Sequence, residues 1–108
     1  MSEELMKPGE RQFNDMIPYI MDLIDNLNTL LAENEALLSQ KGIARKLSVV
    51  LSIMTLHRYY PQVFMKEVWD QLLQLVDQMK SMPELSDKLK DILADIEKLN
   101  QLKKEAGI

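Results

Sequence analysis

Apolar residues recur every three or four positions along most of this chain, which is the pattern of helices that bury one side. Four stretches with this pattern predict helices at about 15–39, 42–59, 62–81 and 84–105. Gly42, Pro61 and Pro83 separate the stretches, where glycine or proline commonly ends or restarts a helix. The sequence therefore predicts an all-α protein, most simply a four-helix up-down bundle joined by short turns.

Polar and small residues at the predicted helix ends refine these boundaries. Asp15 fits the N-cap of the first helix, because Pro18 then falls in the first turn, where the backbone N–H has no intrahelical partner. Ser81 and Glu84 have the spacing of a capping box for the fourth helix. Gly107 is expected to end that helix.

The second predicted helix contains an uncharged stretch, LSVVLSIMTL, within a chain that is 28% charged. Its apolar residues fill two separate arcs of a helical wheel. The first arc holds Ile43, Leu47, Val50, Leu51 and Met54, and the second holds Val49, Ile53, Leu56 and Tyr60. We therefore expect this helix to be the most buried, with neighbours on two sides. A helical hairpin or three-helix unit that completes its core by dimerising is the alternative, and it would turn one arc toward a second copy.

Polar residues also interrupt or flank the apolar stripes of the other helices. Asn34 takes a position otherwise occupied by Ile or Leu, where a buried amide often fixes register or oligomeric state. Asp87, Asp91 and Asp95 recur every fourth residue on the fourth helix. Lysines lie among them and no glycine-centred calcium loop surrounds them, so we interpret them as a solvated face.

Residues suited to catalysis or cofactor binding are scarce. His57 is the single histidine, and a helical wheel places Ser48 and Ser52 about 140° or more away from it, too far for a nucleophile and base pair. Cysteine is absent, and no Glu-x-x-His pair is available for a di-metal site. We therefore expect no catalytic residue, no metal and no cofactor, and we interpret the protein as non-enzymatic.

Charge is distributed unevenly around a net charge of −4. Residues 1–40 carry two basic and eight acidic groups, whereas residues 41–60 carry four basic groups and no acid. The four bases are Lys41, Arg45, Lys46 and Arg58. The two segments could pair with each other inside the protein, or the basic segment could be a docking patch for an acidic partner.

Nucleic-acid binding through the basic segment is the alternative function, with Tyr59 and Tyr60 able to stack on bases. Two observations argue against it. The bases form no continuous stripe, because the uncharged stretch separates Arg45 from Arg58. An isoelectric point near 5.0 also opposes binding that depends on counterion release.

These observations predict a protein–protein interaction module of adaptor, inhibitor or small-chaperone type that acts through apolar helix faces. The residues expected to contact a partner are Arg45, Val49, Ile53, Leu56, Arg58, Tyr59, Tyr60 and Trp69. The partner is expected to be a protein, with a homodimer as one alternative. Eight methionines fit either adaptable core filling or a binding surface.

Length and composition place these features in one domain. A chain of 108 residues that is 46% hydrophobic has the size and composition of a single packed domain. We expect residues 15–106 to form a helical-bundle domain and residues 1–14 to be a tail or a short extra turn. No segment resembles an export signal or a membrane span, so a cytoplasmic location is expected.

Overall fold

The computed structural model describes residues 13–107, and this part of the chain is all-helical. Its five α-helices are α1 (Ile17–Glu33), α2 (Glu35–Gln40), α3 (Ala44–Leu56), α4 (Lys66–Met79) and α5 (Ser86–Ala106). Two short 3₁₀ segments, Pro61–Phe64 and Pro83–Leu85, precede α4 and α5. The all-α prediction is confirmed, whereas a four-helix bundle is not, because the first predicted helix is divided into α1 and α2.

The division between α1 and α2 falls at Asn34, whose backbone leaves helical geometry at φ −128° and ψ 28°. Its Nδ2 donates to the Leu30 carbonyl oxygen at 3.0 Å, and its own carbonyl oxygen accepts from the Leu38 N–H at 2.9 Å. Short polar side chains compete with the helix ladder in this way. The half-buried Asn34 side chain therefore bonds within its own helix. This bond gives no support to the expected role of Asn34 in fixing helix register or oligomeric state.

The helix ends follow the predicted glycines but not the predicted caps. Gly42 and Gly107 have φ of 73° and 72°, the left-handed geometry that glycine adopts at low cost. The N-cap of α1 is Met16 and not Asp15, and it makes no side-chain cap bond. The capping-box prediction is also wrong, because the Ser81 hydroxyl donates to the Gln78 carbonyl oxygen at 2.9 Å.

The helices pack as antiparallel neighbours in an elongated molecule of 51 × 22 × 20 Å. α1 packs against α5 and α3, and α3 packs in turn against α4. The Lys98 Nζ lies 5.9 Å from the Tyr19 ring centroid, which joins the start of α1 to the second half of α5. Trp69 Nε1 donates to Asn100 Oδ1 at 3.0 Å and links the start of α4 to the end of α5. No helix within residues 13–107 has the length and apolar character needed to cross a membrane.

The hydrophobic core is shared among all the described helices, and α3 is not its centre. α4 buries six side chains, whereas α3 buries four. The four in α3 are Leu47, Val50, Leu51 and Met54, which belong to the first predicted arc. The prediction that this helix is the most buried is therefore wrong. α3 packs against α1, α2 and α4, and it buries the first arc, whereas Val49, Leu56 and Tyr60 of the second arc stay exposed.

The methionines of the described helices mainly fill the core. Met16, Met54 and Met79 are fully buried, and Met82 is 8% exposed. Phe13, at the end of the segment expected to be a tail or a short extra turn, is helical and buried against the Phe64 ring at a centroid distance of 6.1 Å. Residues 1–12 of that segment lie outside the described residues.

Candidate interaction surface

A group of exposed apolar side chains lies on α3 and in the turn that follows it. Of the six large hydrophobic side chains that are exposed within residues 13–107, four fall between positions 49 and 60. Their exposed fractions are 52% for Val49, 71% for Leu56, 52% for Tyr59 and 58% for Tyr60. Ile53 is half-buried beside them. We call Val49, Ile53, Leu56, Tyr59 and Tyr60 the apolar face of α3.

Helix geometry explains why the first three members share a side. Val49, Ile53 and Leu56 are separated by four and three residues, a spacing that repeats on one side of an α-helix. The helix ends at Leu56, earlier than the predicted boundary near residue 59. Tyr60 has the extended geometry typical of a residue before proline, with φ −134° and ψ 150°. The two tyrosines therefore extend the exposed surface from the turn and not from the helix itself.

Basic residues stand at both ends of the apolar face. Arg45 and Lys46 are exposed in the first turn of α3. Arg58 lies just beyond its end, where the guanidinium donates to the Thr55 carbonyl oxygen and its Cζ sits 4.7 Å from the Tyr59 ring centroid. This cation–π contact holds the charge beside an exposed aromatic ring. We call Arg45, Lys46 and Arg58 the basic rim.

The basic rim has no acidic partner within residues 13–107. The ion pair found in that range joins Lys80 Nζ to Asp77 Oδ1 at 3.7 Å, away from the rim. Glu35 and Arg45 line the same open groove between α1 and α3, but they do not come within ion-pair distance. The pairing between the acidic and basic segments that the sequence suggested as one alternative is therefore not formed by these residues.

The groove between α1 and α3 adjoins the apolar face. It has a volume of about 530 Å³ and is lined in part by the small side chains of Ala32, Ala44 and Ser48. The Ser52 hydroxyl, on the α3 side, donates to the Ser48 carbonyl oxygen at 3.0 Å, as helical Ser residues commonly do. Because Ala32, Ala44 and Ser48 have short side chains, the groove leaves one flank of the apolar face accessible.

Trp69 does not belong to this surface, although the sequence grouped it with the other seven candidates. It is 3% exposed, and its ring meets the Phe64 ring edge to face at a centroid distance of 4.9 Å. The Lys103 Nζ lies 5.0 Å from both rings. Burial lowers the pKa of Lys103, and the charge of Asp70 opposes that effect. The structure therefore assigns Trp69 to the core, where it joins α4 to α5.

One buried carboxyl group, that of Asp95, was not predicted from the sequence. Asp95 is 9% exposed and faces α1, so it is not part of a solvated face as predicted, whereas Asp87 and Asp91 are exposed. Burial, followed by a hydrogen bond to Asp22 and repulsion from it, raises the pKa of Asp95 to about 7. Asn26 opposes the increase through a hydrogen bond, and Asp91 adds to it through its charge.

The signal for this burial was present in the sequence. Asp95 is three residues after Ile92 and four before Leu99, two buried members of the α5 stripe. Its Oδ2 atom has no hydrogen-bond partner among the described residues. The Asn26 Nδ2 also donates to Asp22 Oδ2 at 3.1 Å. The pair of carboxyl groups therefore carries an unfavourable electrostatic interaction between α1 and α5 when both are ionised.

The other side chains considered for catalysis or metal binding do not form a site within residues 13–107. His57 is the partly exposed C-cap of α3. Its backbone N–H donates to the Ile53 carbonyl oxygen at 3.1 Å. Within residues 13–107, no group of three or more His, Cys, Asp or Glu side chains is arranged to hold a metal ion. The residues brought together on the surface of α3 and the turn after it are apolar and basic.

No known protein family, curated protein or solved structure matches this chain.

Proposed function

We propose that this protein is a non-enzymatic protein–protein interaction module that binds its partner through the apolar face of α3. The observation that carries the proposal is the exposure of Val49 and Leu56, 52% and 71%, on a helix whose opposite side is fully packed. Large exposed apolar patches are costly to maintain in water and commonly mark binding surfaces. An adaptor, an inhibitor and a small chaperone all work by covering such a surface.

Binding is favoured over catalysis by the positions of the reactive side chains. Ser52 is bonded back to its own helix, and His57 caps the end of α3. Neither arrangement forms a nucleophile with an adjacent base. The proposal therefore includes no catalytic residue, no metal and no cofactor.

We also propose that the helices form one up-down bundle of four elements. In this view α1 and α2 are a single element interrupted at Asn34, since only that residue separates them. The support is the antiparallel packing of α1 with α5 and of α4 with α5. In such a bundle α3 would bury the side that faces the other helices. Its outer side, next to the α1–α3 groove, would remain free to bind a partner.

Nucleic-acid binding is the weaker candidate. The two parts of the basic rim lie at opposite ends of α3, about 20 Å apart for a helix of this length. Val49 and Leu56 occupy the surface between them. A phosphate backbone would therefore cross apolar side chains in the middle of its path.

The proposal is tested by capturing partners on the full-length protein from an extract of its source organism, identifying them by mass spectrometry and measuring binding with purified material. The double variant Val49→Ser/Leu56→Ser removes most of the helical part of the face. We expect its affinity to fall at least about tenfold, because burying each side chain contributes roughly 1.5–3 kcal/mol when complete.

The matched control is Tyr19→Ser, an exposed apolar residue on α1 that lies toward α5. Its affinity for the captured partner is expected to equal that of the wild-type protein. Sedimentation velocity over a wide concentration range gives the oligomeric state of all three proteins. Equal affinity of the double variant and the wild type would refute the proposal, as would a strictly monomeric protein that captures nothing.

A further inference from the structure

The charges around the apolar face of α3 indicate what kind of partner it binds. We propose that the occupant is an acidic amphipathic helix of another protein, with a short apolar stripe bounded by carboxylates at both ends. This inference rests on the proposed function and specifies the partner for the same surface. The preference for an acidic partner can be refuted separately, because the apolar face could still bind a partner of another charge.

The charge of the α3 surface is complementary to that of an acidic partner. Residues 41–60 contain four basic residues and no acid. The basic rim places three of these charges at the two ends of the apolar face, Arg45 and Lys46 before it and Arg58 after it. No acid within residues 13–107 lies within ion-pair distance of them. A partner with carboxylates at matching positions would neutralise charges that this part of the chain leaves unpaired.

The spacing and length of the apolar face fit a partner that is helical. The 4–3 spacing of Val49, Ile53 and Leu56 is the spacing that the apolar stripe of a second helix packs against. From Arg45 to Leu56 the surface spans about 16 Å, which corresponds to three turns of a partner helix. The open groove lined by Ala32, Ala44 and Ser48 leaves space along one flank. A helix of roughly 11–14 residues would cover this length.

A second copy of the chain fits the same surface less well. In a two-fold arrangement with antiparallel α3 helices, Arg45 and Lys46 of one protomer would approach Arg58 of the other. In a parallel arrangement, each basic residue would approach its own equivalent. Because residues 41–60 contain no acid, α3 itself could not neutralise these contacts in either case. Like-charge contacts across an interface oppose association.

The experiment uses two synthetic helical peptides of about 20 residues with the same Leu/Ile stripe. One carries Glu at the positions that flank the stripe, and the other carries Lys there. Binding of each labelled peptide to the full-length protein is measured by fluorescence anisotropy at about 50 mM and about 500 mM salt. We expect the Glu peptide to bind at least about tenfold more tightly at low salt, with a smaller preference at high salt.

Two charge variants complete the test. Arg45→Glu/Arg58→Glu is expected to reverse the order of the two peptides. Lys90→Glu/Lys104→Glu makes the same change in net charge at two exposed positions of α5 and is expected to keep the wild-type order. Circular dichroism shows whether each variant remains helical, and a variant that unfolds is replaced by the corresponding Gln substitutions.

Several results would overturn the inference. If both peptides bind equally and Val49→Ser/Leu56→Ser abolishes both, the face binds helices without a charge preference, and the proposed function stands without the acidic partner. Dimerisation that this double variant abolishes would identify a second copy as the occupant. Tighter binding of a single-stranded oligonucleotide than of the Glu peptide would identify nucleic acid. Failure of both peptides to bind the wild-type protein would also refute it.

Discussion

The substitution Asp95→Asn should stabilise this protein, and the gain should depend on pH. Asp95 is 9% exposed, and its Oδ2 atom has no hydrogen-bond partner among the described residues. Burial, followed by the hydrogen bond to Asp22 and repulsion from it, raises the pKa of Asp95 from 3.8 to about 7. Asparagine keeps the size of the side chain but cannot ionise, so the substitution removes the charge that the site disfavours.

The magnitude follows from the two pKa values. Between pH 3.8 and about 7, the folded protein holds a proton at Asp95 that the unfolded chain has released. The free energy of unfolding therefore falls as the pH rises through this window and is lowest, for this group, above it. A difference of about three pKa units corresponds to an upper bound of about 4 kcal/mol. We expect Asp95→Asn to gain about 2–4 kcal/mol at pH 8 and progressively less toward pH 4.

Urea unfolding at several pH values between 5 and 8, followed by circular dichroism, measures this gain. Asp91→Asn, an exposed position one turn earlier on α5, makes the same charge change and should shift the free energy of unfolding by less than about 0.5 kcal/mol. Titration of the Asp95 carboxyl carbon by NMR gives its pKa directly. An Asp95→Asn protein no more stable than the wild type at pH 8, or a gain independent of pH, would refute the reasoning.

Three further substitutions test the packing of the described helices by chemical denaturation. Gly42→Ala should lose about 1 kcal/mol, because φ is 73° there although a Cβ would meet no atom within 4 Å; an unchanged stability would contradict the left-handed turn. Trp69→Phe should lose about 1–3 kcal/mol through the hydrogen bond to Asn100 and the missing ring, and near-UV circular dichroism should report a looser aromatic cluster. Leu27→Ala, at a fully buried position in α1, should lose about 2–5 kcal/mol; a loss below about 1 kcal/mol would mean that the site is not packed.

The sequence was a good guide to where helices begin and end when backbone chemistry decides the boundary. Gly42 and Pro61 impose geometries that hold in any tertiary setting, and the structure has turns at both. Helix boundaries that depend on competing side-chain hydrogen bonds were harder to predict from the sequence. Asn34 bonds to the Leu30 carbonyl oxygen and divides a helix that apolar spacing predicts as continuous. The Ser81 hydroxyl similarly bonds backward and does not cap α5.

The exposure of the candidate surface could not be predicted from helical periodicity alone. Helical periodicity identified both apolar arcs of the second stretch, including Val49 and Leu56, but it does not say which arc has a neighbour. That choice depends on the directions from which α1 and α4 approach α3. Asp95 was misjudged for the same reason, since its exposure depends on whether α1 lies against that side of α5. Trp69 was assigned to a surface because its aromatic ring suits a binding anchor as well as it suits a core.

The central claim is that the apolar face of α3 is exposed to solvent in the protomer. Methyl-labelled protein, kept at a concentration where its tumbling is that of a monomer, allows this to be measured with a soluble paramagnetic agent. The methyl groups of Val49 and Leu56 should relax strongly, while those of Leu27 and Ile92, both fully buried, should be protected. Protection of Val49 and Leu56 equal to that of Leu27 would contradict the claim.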